Sequence, residues 1–351
     1  MGEEDFWKVN YLSMLERFWK RKKGFGKKPG IFILTVFCLL SFYGSLQAQA
    51  LRKIRIGSTT PSVTTLPSEI AAKMGFFKEV GLEPEMITIR SADIIIKALM
   101  TGDLDYSTAL PSLVAAGVRG LPIKVFGVMI GKTTYVMVSQ RGIESLKELK
   151  GKAIAVSSFG AASDYVVRVA LTKAGLDPKK DVTILQVGGS SARLGALQAG
   201  LVQATVLVSP FNLQAEKMGY RTLLWLGKVV DLPQGGLGAN EKRLLEFPDE
   251  AVRVAKATAR GIHFIKTHRE ETVKFMMSWL NLDRSVADGA YPLVADSLAD
   301  FGIVDDSIIA SAVDATKFQF HLDKDVPLDQ IRDMRFALKA RDELLKEGKV
   351  R

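Results

Sequence analysis

A phrase that occurs twice, about a hundred residues apart, constrains the fold of this 351-residue chain more than any other feature. The first copy occupies residues 75–125 and the second occupies residues 174–209. In each copy Gly-Leu-x-Pro ends a helix, an extended run follows, and a second helix ends at Ala-Leu-x-x-Gly before another run of apolar or small residues. A glycine just past an apolar periodic segment is a typical helix stop. Each copy therefore predicts a strand, a helix and a second strand.

The order strand, helix, strand predicts parallel strands, because parallel neighbours need a crossover connection. We expect these strands at residues 86–90 and 104–108 in the first copy, and at 182–187 and 202–209 in the second. Parallel sheets are covered on both faces, so each copy predicts a small α/β sheet of its own. The sequence thus predicts an α/β fold of two doubly wound lobes with a cleft between them.

Two interruptions of the pattern divide the chain into lobes. Arg141-Gly142 follows the apolar run at 135–139, and residues 231–236 carry the Pro and Gly that are typical of a crossing. We expect the first lobe over residues 51–139, the second over 140–234, and a return to the first lobe over 235–351. The returning segment would rejoin the first sheet near 237–240 and then form C-terminal helices, predicted over 249–267, 270–279 and 328–346. Two crossings between two lobes predict a hinge.

The first fifty residues have the pattern of an export signal. A basic cluster at residues 20–28 precedes an apolar run of 16 residues at 31–46, and Ala48-Gln49-Ala50 supplies small residues for cleavage. The run is shorter than the roughly 20 residues that span a bilayer, so we expect a cleaved signal peptide over residues 1–50; an uncleaved anchor is the alternative. Either way the sequence predicts a periplasmic or otherwise extracytoplasmic protein.

Charge and cysteine usage exclude several classes of function. The net charge of +10 includes eight Lys/Arg and four Asp/Glu in residues 1–50, and the rest of the chain intersperses forty bases with thirty-four acids. That mixture predicts a solvated surface rather than a nucleic-acid partner.

The single cysteine, Cys38, lies in the apolar run, so the mature chain would have no thiolate. His263 and His268 are five residues apart, unlike the spacing of a zinc helix. We expect no metal and no cofactor.

Several further phrases accompany the two copies. They are Gly-Phe-Phe-Lys-Glu-Val-Gly-Leu-Glu at 75–83, Ala-Leu-x-x-Gly-x-x-Asp at 98–105, Gly-Leu-Pro-Ile-Lys-Val at 120–125, Leu-Lys-Glu-Leu-Lys-Gly-Lys-Ala-Ile-Ala-Val at 146–156, and the Ala-Leu-x-x-Gly phrase at 196–200. In combination they resemble the periplasmic solute-binding proteins of ABC importers, in the branch for nitrate, sulfonates, taurine and thiamine precursors. The resemblance covers nearly all of residues 51–280. It implies a type II periplasmic-binding-protein clamshell without catalytic residues, whose partners are a small-molecule ligand and an ABC permease in the cytoplasmic membrane. We expect a monomer.

Ligands of such folds bind at the carboxyl ends of the strands, so we expect contacts in the turns that follow them. The strongest candidate is the turn after the strand at 153–156, where a helix start presents unpaired N–H groups and a positive dipole end to an anion. The alternative is that Ser163 only caps this helix. The candidates in this turn are Ser158, Phe159, Gly160, Ala161 and Ser163.

The matching turn of the second copy contributes Ser190 and Arg193. The guanidinium of Arg193 can pair with an anionic ligand or project into solvent. Ser209 and Phe211 close this copy, and Phe211 is either a stacking wall or a core residue. Because Arg193 is positively charged, we expect the second lobe to bind an anion more tightly than the first lobe does. The first-lobe candidates are Ser58, Thr59, Thr60, Arg90, Ser107 and Thr108.

The sequence therefore predicts a non-catalytic receptor that captures a small anionic or polar organic solute, such as a sulfonate-, carboxylate- or pyrimidine-like molecule, and delivers it to an ABC permease. One alternative is a sensory subunit that presents its ligand-bound form to a membrane receptor, since both roles use the same clamshell. The other is an enzyme similar to the thiamine-pyrimidine synthases. That chemistry requires His and Cys for iron, and the mature chain would lack every cysteine.

Overall fold

The computed structural model describes residues 51–59, 61–89 and 91–350, so the expected signal peptide lies outside the described residues. The strands within these residues are β1 (Arg52–Ser58), β2 (Leu82–Thr88), β3 (Tyr106–Ser107), β4 (Ile123–Ile130), β5 (Val136–Ser139), β6 (Ala153–Val156), β7 (Thr183–Gln186), β8 (Ala204–Leu207), β9 (Arg221–Trp225) and β10 (Gly235–Asn240).

Helices connect and cover these strands. In the first two thirds of the chain they are α1 (Leu66–Lys73), α2 (Phe76–Glu79), α3 (Ala92–Thr101), α4 (Leu110–Val118), α5 (Ala162–Lys173), α6 (Ser190–Gln198) and α7 (Phe211–Lys217). Then follow α8 (Glu241–Glu246), α9 (Pro248–Thr267), α10 (Arg269–Leu280), α11 (Arg284–Ser297), α12 (Asp306–Phe320), α13 (Leu328–Ile331) and α14 (Arg335–Lys346). Short 3₁₀ turns lie at Leu146–Leu149, Leu226–Lys228 and Asp300–Gly302. None of the described helices combines the length and the apolar character of a membrane span.

The strands form two five-stranded sheets with the same plan. Their orders are β2-β1-β3-β10-β4 and β7-β6-β8-β5-β9. In each sheet the three strands that include the repeated unit are parallel, and the next strand, β10 or β5, is antiparallel to them. That antiparallel strand is the one that has just crossed from the other sheet. The predicted α/β fold with two doubly wound lobes and two crossings is confirmed.

The predicted lobe boundary at residue 139 is wrong for β5. This strand pairs with β8 and β9 of the second sheet, so the first crossing lies between Ile130 and Val136. All four side chains of β5 are buried, and an apolar run of this kind is compatible with either sheet. Only the partner strands, which are distant in sequence, decide which sheet it joins. The remaining lobe boundaries stay a proposal.

Both faces of each sheet are covered, as its parallel strands require. On the first sheet, one face packs against α9 and the other against α4 and α12. These two layers include Ile54, Ile56, Phe77, Tyr106 and Phe126 on one face and Leu110, Leu113, Val125, Val128 and Ile309 on the other. The two layers of the second sheet are centred on Ile154, Val156, Val167 and Val206, and on Val136, Val138, Leu197 and Leu207.

The C-terminal helix predicted over residues 328–346 is instead two helices, α13 and α14. Between them the backbone lies beside the edge strand β4, where Arg332 bridges to Val125 and the Asp333 N–H donates to the Val125 carbonyl at 2.8 Å. An edge strand offers unpaired backbone groups, and this contact satisfies one of them. Helical periodicity on both sides of the break concealed it in the sequence.

Helix α12 contacts both lobes. Its Ile309 and Val313 belong to the core of the first lobe. Near its end, the ring of Phe318 lies 5.7 Å from the ring of Tyr165 on α5 of the second lobe, measured between centroids. A helix that comes late in the chain thus forms one wall of the space between the lobes.

Candidate functional site

The two crossings are tied to each other by hydrogen bonds. The Gln234 N–H donates to the Ile130 carbonyl at 3.0 Å, which joins the backbones of the crossings. The side-chain oxygen of Gln234 accepts from both the N–H and the hydroxyl of Thr134, each at 2.8 Å. The Trp225 indole donates to the Thr133 carbonyl at 2.7 Å. These bonds hold the crossings in one arrangement.

A cavity of about 360 Å³ lies against the crossings, at the carboxyl ends of β1, β3 and β6. Its volume is within the range of small-molecule sites. The lining comes from both lobes, from the crossings and from α12. It consists of Thr59, Thr64, Thr65, Thr108, Ala109, Pro111, Ser112, Tyr135, Ala162, Leu232, Pro233, Gln234, Ala312, Ala315, Thr316 and Gln319.

The described lining is neutral, and it contains hydroxyl groups, two side-chain amides and small apolar surfaces. Thr108 is 2% exposed, and its hydroxyl has no hydrogen-bond partner among the described residues. An unpaired buried hydroxyl costs about 1–3 kcal/mol, which a polar ligand atom would recover. A solute that forms a hydrogen bond with Thr108 would therefore be stabilised in the cavity.

Helix α4 begins at the wall of the cavity. Ala109 is its N-cap and carries no side-chain cap, and Pro111 and Ser112 lie in its first turn. A helix N-terminus has unsatisfied N–H groups and a positive dipole end, so it favours anions. Proline suits this position because it fixes a helical backbone angle where its missing N–H is not needed.

Of the sequence candidates in the first lobe, Thr59 and Thr108 line the cavity. Ser58 is buried at the end of β1, and the Ser107 hydroxyl accepts from the Ala109 N–H at 3.1 Å, where it shapes the start of α4. Two further candidates, Thr60 and Arg90, lie outside the described residues.

In the second lobe, the turn before α5 satisfies its own polar groups. The buried Ser163 hydroxyl accepts from the Ser157 N–H at 2.9 Å, and the two hydroxyls lie 2.7 Å apart. Ser163 does not cap α5, since Ala161 holds that position. The Asp164 carboxylate accepts from the Gly160 N–H at 2.9 Å and from Arg168 at 2.7 Å.

The other candidates in this turn also lie away from the described lining. Ser158 accepts from the Ala161 N–H through its carbonyl. Phe159 is 59% exposed. Gly160 has φ of 79°, which favours glycine, and a Cβ there would lie 3.3 Å from the Gln319 carbonyl oxygen. From this region only Ala162 reaches the cavity wall.

Arg193 neither lines the cavity nor projects into solvent. It is 2% exposed, and its guanidinium donates to the Val206 carbonyl, the Gly188 carbonyl and the Ser190 hydroxyl. Burial lowers its pKa, and no carboxylate pairs with it among the described residues. Arg193 therefore ties the turn before α6 to β8.

The positive charge of Arg193 still acts on the cavity through Tyr135. Burial raises the pKa of the Tyr135 phenol, and the charge of Arg193 acts in the opposite direction. Ser209 donates to the Asn212 side-chain oxygen at 3.0 Å. Phe211 packs against the apolar cluster of the second sheet, in agreement with its interpretation as a core residue.

Sequence reasoning missed the crossings and α12 as parts of the site. Residues 231–236 had been identified as a crossing, and a crossing between lobes lies at the floor of their cleft, so Gln234 could have been proposed. The α12 residues Ala312, Ala315, Thr316 and Gln319 carry no such signal, because nothing in their order indicates that the helix faces the cleft.

Comparisons with known proteins agree with this architecture. The profile of the NMT1/THI5-like family matches residues 65–272. YtlA of Bacillus subtilis strain 168, which carries only the general name of a binding protein, is 22% identical over 253 residues, or 68% of this chain and 74% of that protein.

Two solved structures show the same fold. The periplasmic aliphatic sulphonate binding protein SsuA of Escherichia coli aligns with a TM-score of 0.67 at 17% identity, over 82% of this chain and 99% of that one. A cysteine-to-serine mutant of DszB in complex with biphenyl-2-sulfinic acid aligns with a TM-score of 0.62 at 14% identity, over 84% and 99% of the two chains. At these identities the likeness shows the fold alone.

Proposed function

The chain belongs to the NMT1/THI5-like family, and from this premise we propose that it is an extracytoplasmic binding protein that captures a small anionic or polar organic solute and delivers it to an ABC permease. One observation carries the proposal: a cavity against the crossings is lined by Thr108, whose buried hydroxyl has no partner among the described residues. A free buried hydroxyl at the carboxyl ends of the strands is expected where a ligand completes the hydrogen bonding.

Binding would stabilise the closed arrangement of the lobes. The cavity takes groups from the first lobe, the crossings and α12, and Ala162 from the second lobe. A ligand that touches all of them binds the closed form better than an open one, and so shifts the population toward closure. The crossings are the segments that would absorb the motion.

An oxyacid of sulfur or carbon is the favoured ligand class. E. coli SsuA is named for aliphatic sulphonates, and the DszB structure holds a sulfinic acid on the same fold. The described lining offers hydroxyls, amide groups and the positive end of α4, which suit acceptor oxygens. Pyrimidine-like solutes remain the second choice within this proposal.

Calorimetry and solution scattering test the binding function. Residues 51–351 would be titrated with ethanesulfonate, taurine, benzoate and biphenyl-2-sulfinate, and native mass spectrometry would search the exported protein for a retained solute. We expect micromolar or tighter binding of at least one acid, with a decrease in the radius of gyration. Absence of both binding and compaction, together with no retained solute, would contradict the proposal.

The enzyme alternative is tested in the same samples. DszB shows that this fold also occurs in a desulfurization enzyme, and the structure compared carries a cysteine substitution. The only cysteine here is Cys38, which lies in the expected signal peptide. We expect biphenyl-2-sulfinate to be recovered unchanged after prolonged incubation, and any chemical conversion would favour an enzyme.

Transport and sensing are separated in cells. We expect deletion of the gene to abolish uptake of the bound acid. Retained uptake with loss of a transcriptional or chemotactic response to that acid would favour the sensory subunit.

A further inference from the structure

The orientation of the Gln234 side chain is fixed by its neighbours. The two ends of an amide usually look alike, but a backbone N–H can only donate, so the atom that faces Thr134 N must be the carbonyl oxygen. The Thr134 hydroxyl donates to the same oxygen. The nitrogen Nε2 therefore lies on the opposite side of the planar amide. Its two hydrogens have no protein acceptor among the described residues, and Gln234 borders the cavity.

Thr108 lies beside Gln234. β10 begins directly after Gln234, and its Gly236 N–H approaches the Thr108 carbonyl at 3.5 Å. Thr108 lines the same cavity, and its buried hydroxyl is unpartnered within the described part of the chain. The lining of one cavity thus combines an oriented amide N–H₂ group with a hydroxyl that has no partner among the described residues.

The local electrostatic field favours a negative group in this cavity. Helix α4 starts two residues after Thr108 and directs its positive end toward the cavity. Arg193 carries a buried charge that reaches Tyr135 of the lining. No carboxylate belongs to the described lining, so nothing there opposes the attraction. The amide N–H₂ group of Gln234 has no acceptor to offer an ammonium group.

We propose that Gln234 Nε2 and Thr108 Oγ1 together bind the acid oxygens of the solute, so that these two residues select ligands with a carboxylate or a sulfur oxyacid group. The inference rests on the proposed function of the cavity. Acid oxygens accept several hydrogen bonds, and charge-assisted bonds are about twice as strong as neutral ones.

The same amide links the ligand to the hinge. Gln234 belongs to the second crossing, and Thr134, which donates to its oxygen, belongs to the first. When Nε2 donates to an acid oxygen, the carbonyl oxygen becomes a better acceptor for Thr134, because hydrogen bonds in a chain polarise one another. A bound acid thereby strengthens the link that holds the two crossings together.

The Gln234→Glu variant tests this inference. A carboxylate of the same shape keeps an oxygen for both Thr134 donors, but it loses the two ligand-facing hydrogens and adds a negative charge. Calorimetry would use methanesulfonate, ethanesulfonate, benzoate and pyridine-3-carboxylate, each paired with its uncharged amide. We expect the wild type to bind at least one acid at least tenfold more tightly than its amide, and Gln234→Glu to weaken that acid at least a hundredfold, which corresponds to two or more lost charge-assisted bonds.

Gln319→Glu is the matched control. Gln319 lines the same cavity from the exposed end of α12, so the variant adds the same charge without touching the crossings. We expect its effect on acid affinity to be below tenfold. Equal losses in the two variants, unchanged affinity in Gln234→Glu, or wild-type preference for the amides would overturn the inference. Failure of every acid and every amide to bind the wild type would instead contradict the binding function itself.

Discussion

The two lobes repeat one plan, but they use their polar side chains differently. In the first lobe the Thr108 hydroxyl, just after β3, has no partner among the described residues. In the second lobe Thr205 lies in the corresponding strand, β8, and donates to the Ala155 carbonyl at 3.0 Å.

The first turns of α1 and α5, the helices that follow β1 and β6, show the same contrast. In α1, the side chain of Glu69 has no hydrogen-bond partner within the described part of the chain, and burial raises the pKa of its carboxyl to about 7. In α5, Asp164 accepts from the Gly160 N–H and from Arg168.

This comparison shows that a sequence repeat determines where a polar side chain lies in the fold. It does not determine whether that side chain has a hydrogen-bond partner. The second lobe uses Ser163, Ser190 and Arg193 to build its own turns. Among the described residues, the first lobe leaves the Thr108 hydroxyl without a partner, and the second crossing leaves the side-chain nitrogen of Gln234 without a protein acceptor. This distribution differs from the expectation that the second lobe would grip an anion, which rested on residue type alone.

The largest expected effect is on the stability of the second lobe. Arg193→Ala removes three hydrogen bonds that tie the turn before α6 to β8, one of them to the carbonyl of the buried Val206, so we expect a loss of about 3 kcal/mol in the free energy of unfolding. Urea denaturation measures it. Arg193→Lys keeps the charge but cannot make all three contacts, so most of the loss should persist. Unchanged stability with weakened ligand binding would identify Arg193 as a ligand contact, which is one of the two roles that the sequence left open.

An intermediate effect is expected from a threonine pair that compares the lobes directly. Thr108→Val removes a hydroxyl that the ligand alone would satisfy, so we expect about tenfold weaker binding of the acid. The free energy of unfolding without ligand should equal or exceed that of the wild type, because the variant also removes the cost of an unpaired buried hydroxyl. Thr205→Val breaks an internal bond, so it should cost about 1 kcal/mol of stability and leave affinity unchanged. Calorimetry and urea denaturation of both variants measure the contrast. A stability loss in Thr108→Val would show that its hydroxyl has a structural role.

The smallest expected effect concerns the pH dependence of stability. The pKa of Glu69 is raised from 4.5 in the unfolded chain to about 7 in the fold, so the folded state binds the proton more tightly. The stabilisation that comes from protonating Glu69 in the fold is fully present below about pH 4.5, and it is lost as the pH rises through 7. Glu69→Gln removes the cost of ionisation, and we expect a Tm about 2 °C higher than the wild type at pH 8 and no gain at pH 4.5. Thermal denaturation at both pH values measures this, and an equal gain at both would exclude titration as the cause.

Much of the fold could be predicted because local chemistry specifies it. The helix over residues 92–101 and the strand over 153–156 have the predicted bounds, since a glycine stop and flanking turns mark them. β3 is shorter than the run at 104–108, and β2 begins four residues before the predicted 86–90, because partner strands determine where pairing starts and ends. The candidate site was harder to predict. The strand-end residues Thr59 and Thr108 were found from position, but Gln234 and α12 enter the cavity from segments without a local signal.

The sequence by itself determined the two parallel units, the family resemblance and the general location of the cleft, because repeated spacing, helix stops and alternating apolar runs act over a few residues. Only the tertiary structure decided that β5 belongs to the second sheet, that α12 forms a wall of the cavity, and that Arg193 and Ser163 are satisfied internally. The physical reason is that hydrogen-bond satisfaction depends on neighbours that are distant in the chain. Residue type indicates what a side chain can donate or accept, and packing determines whether that capacity is left for a ligand.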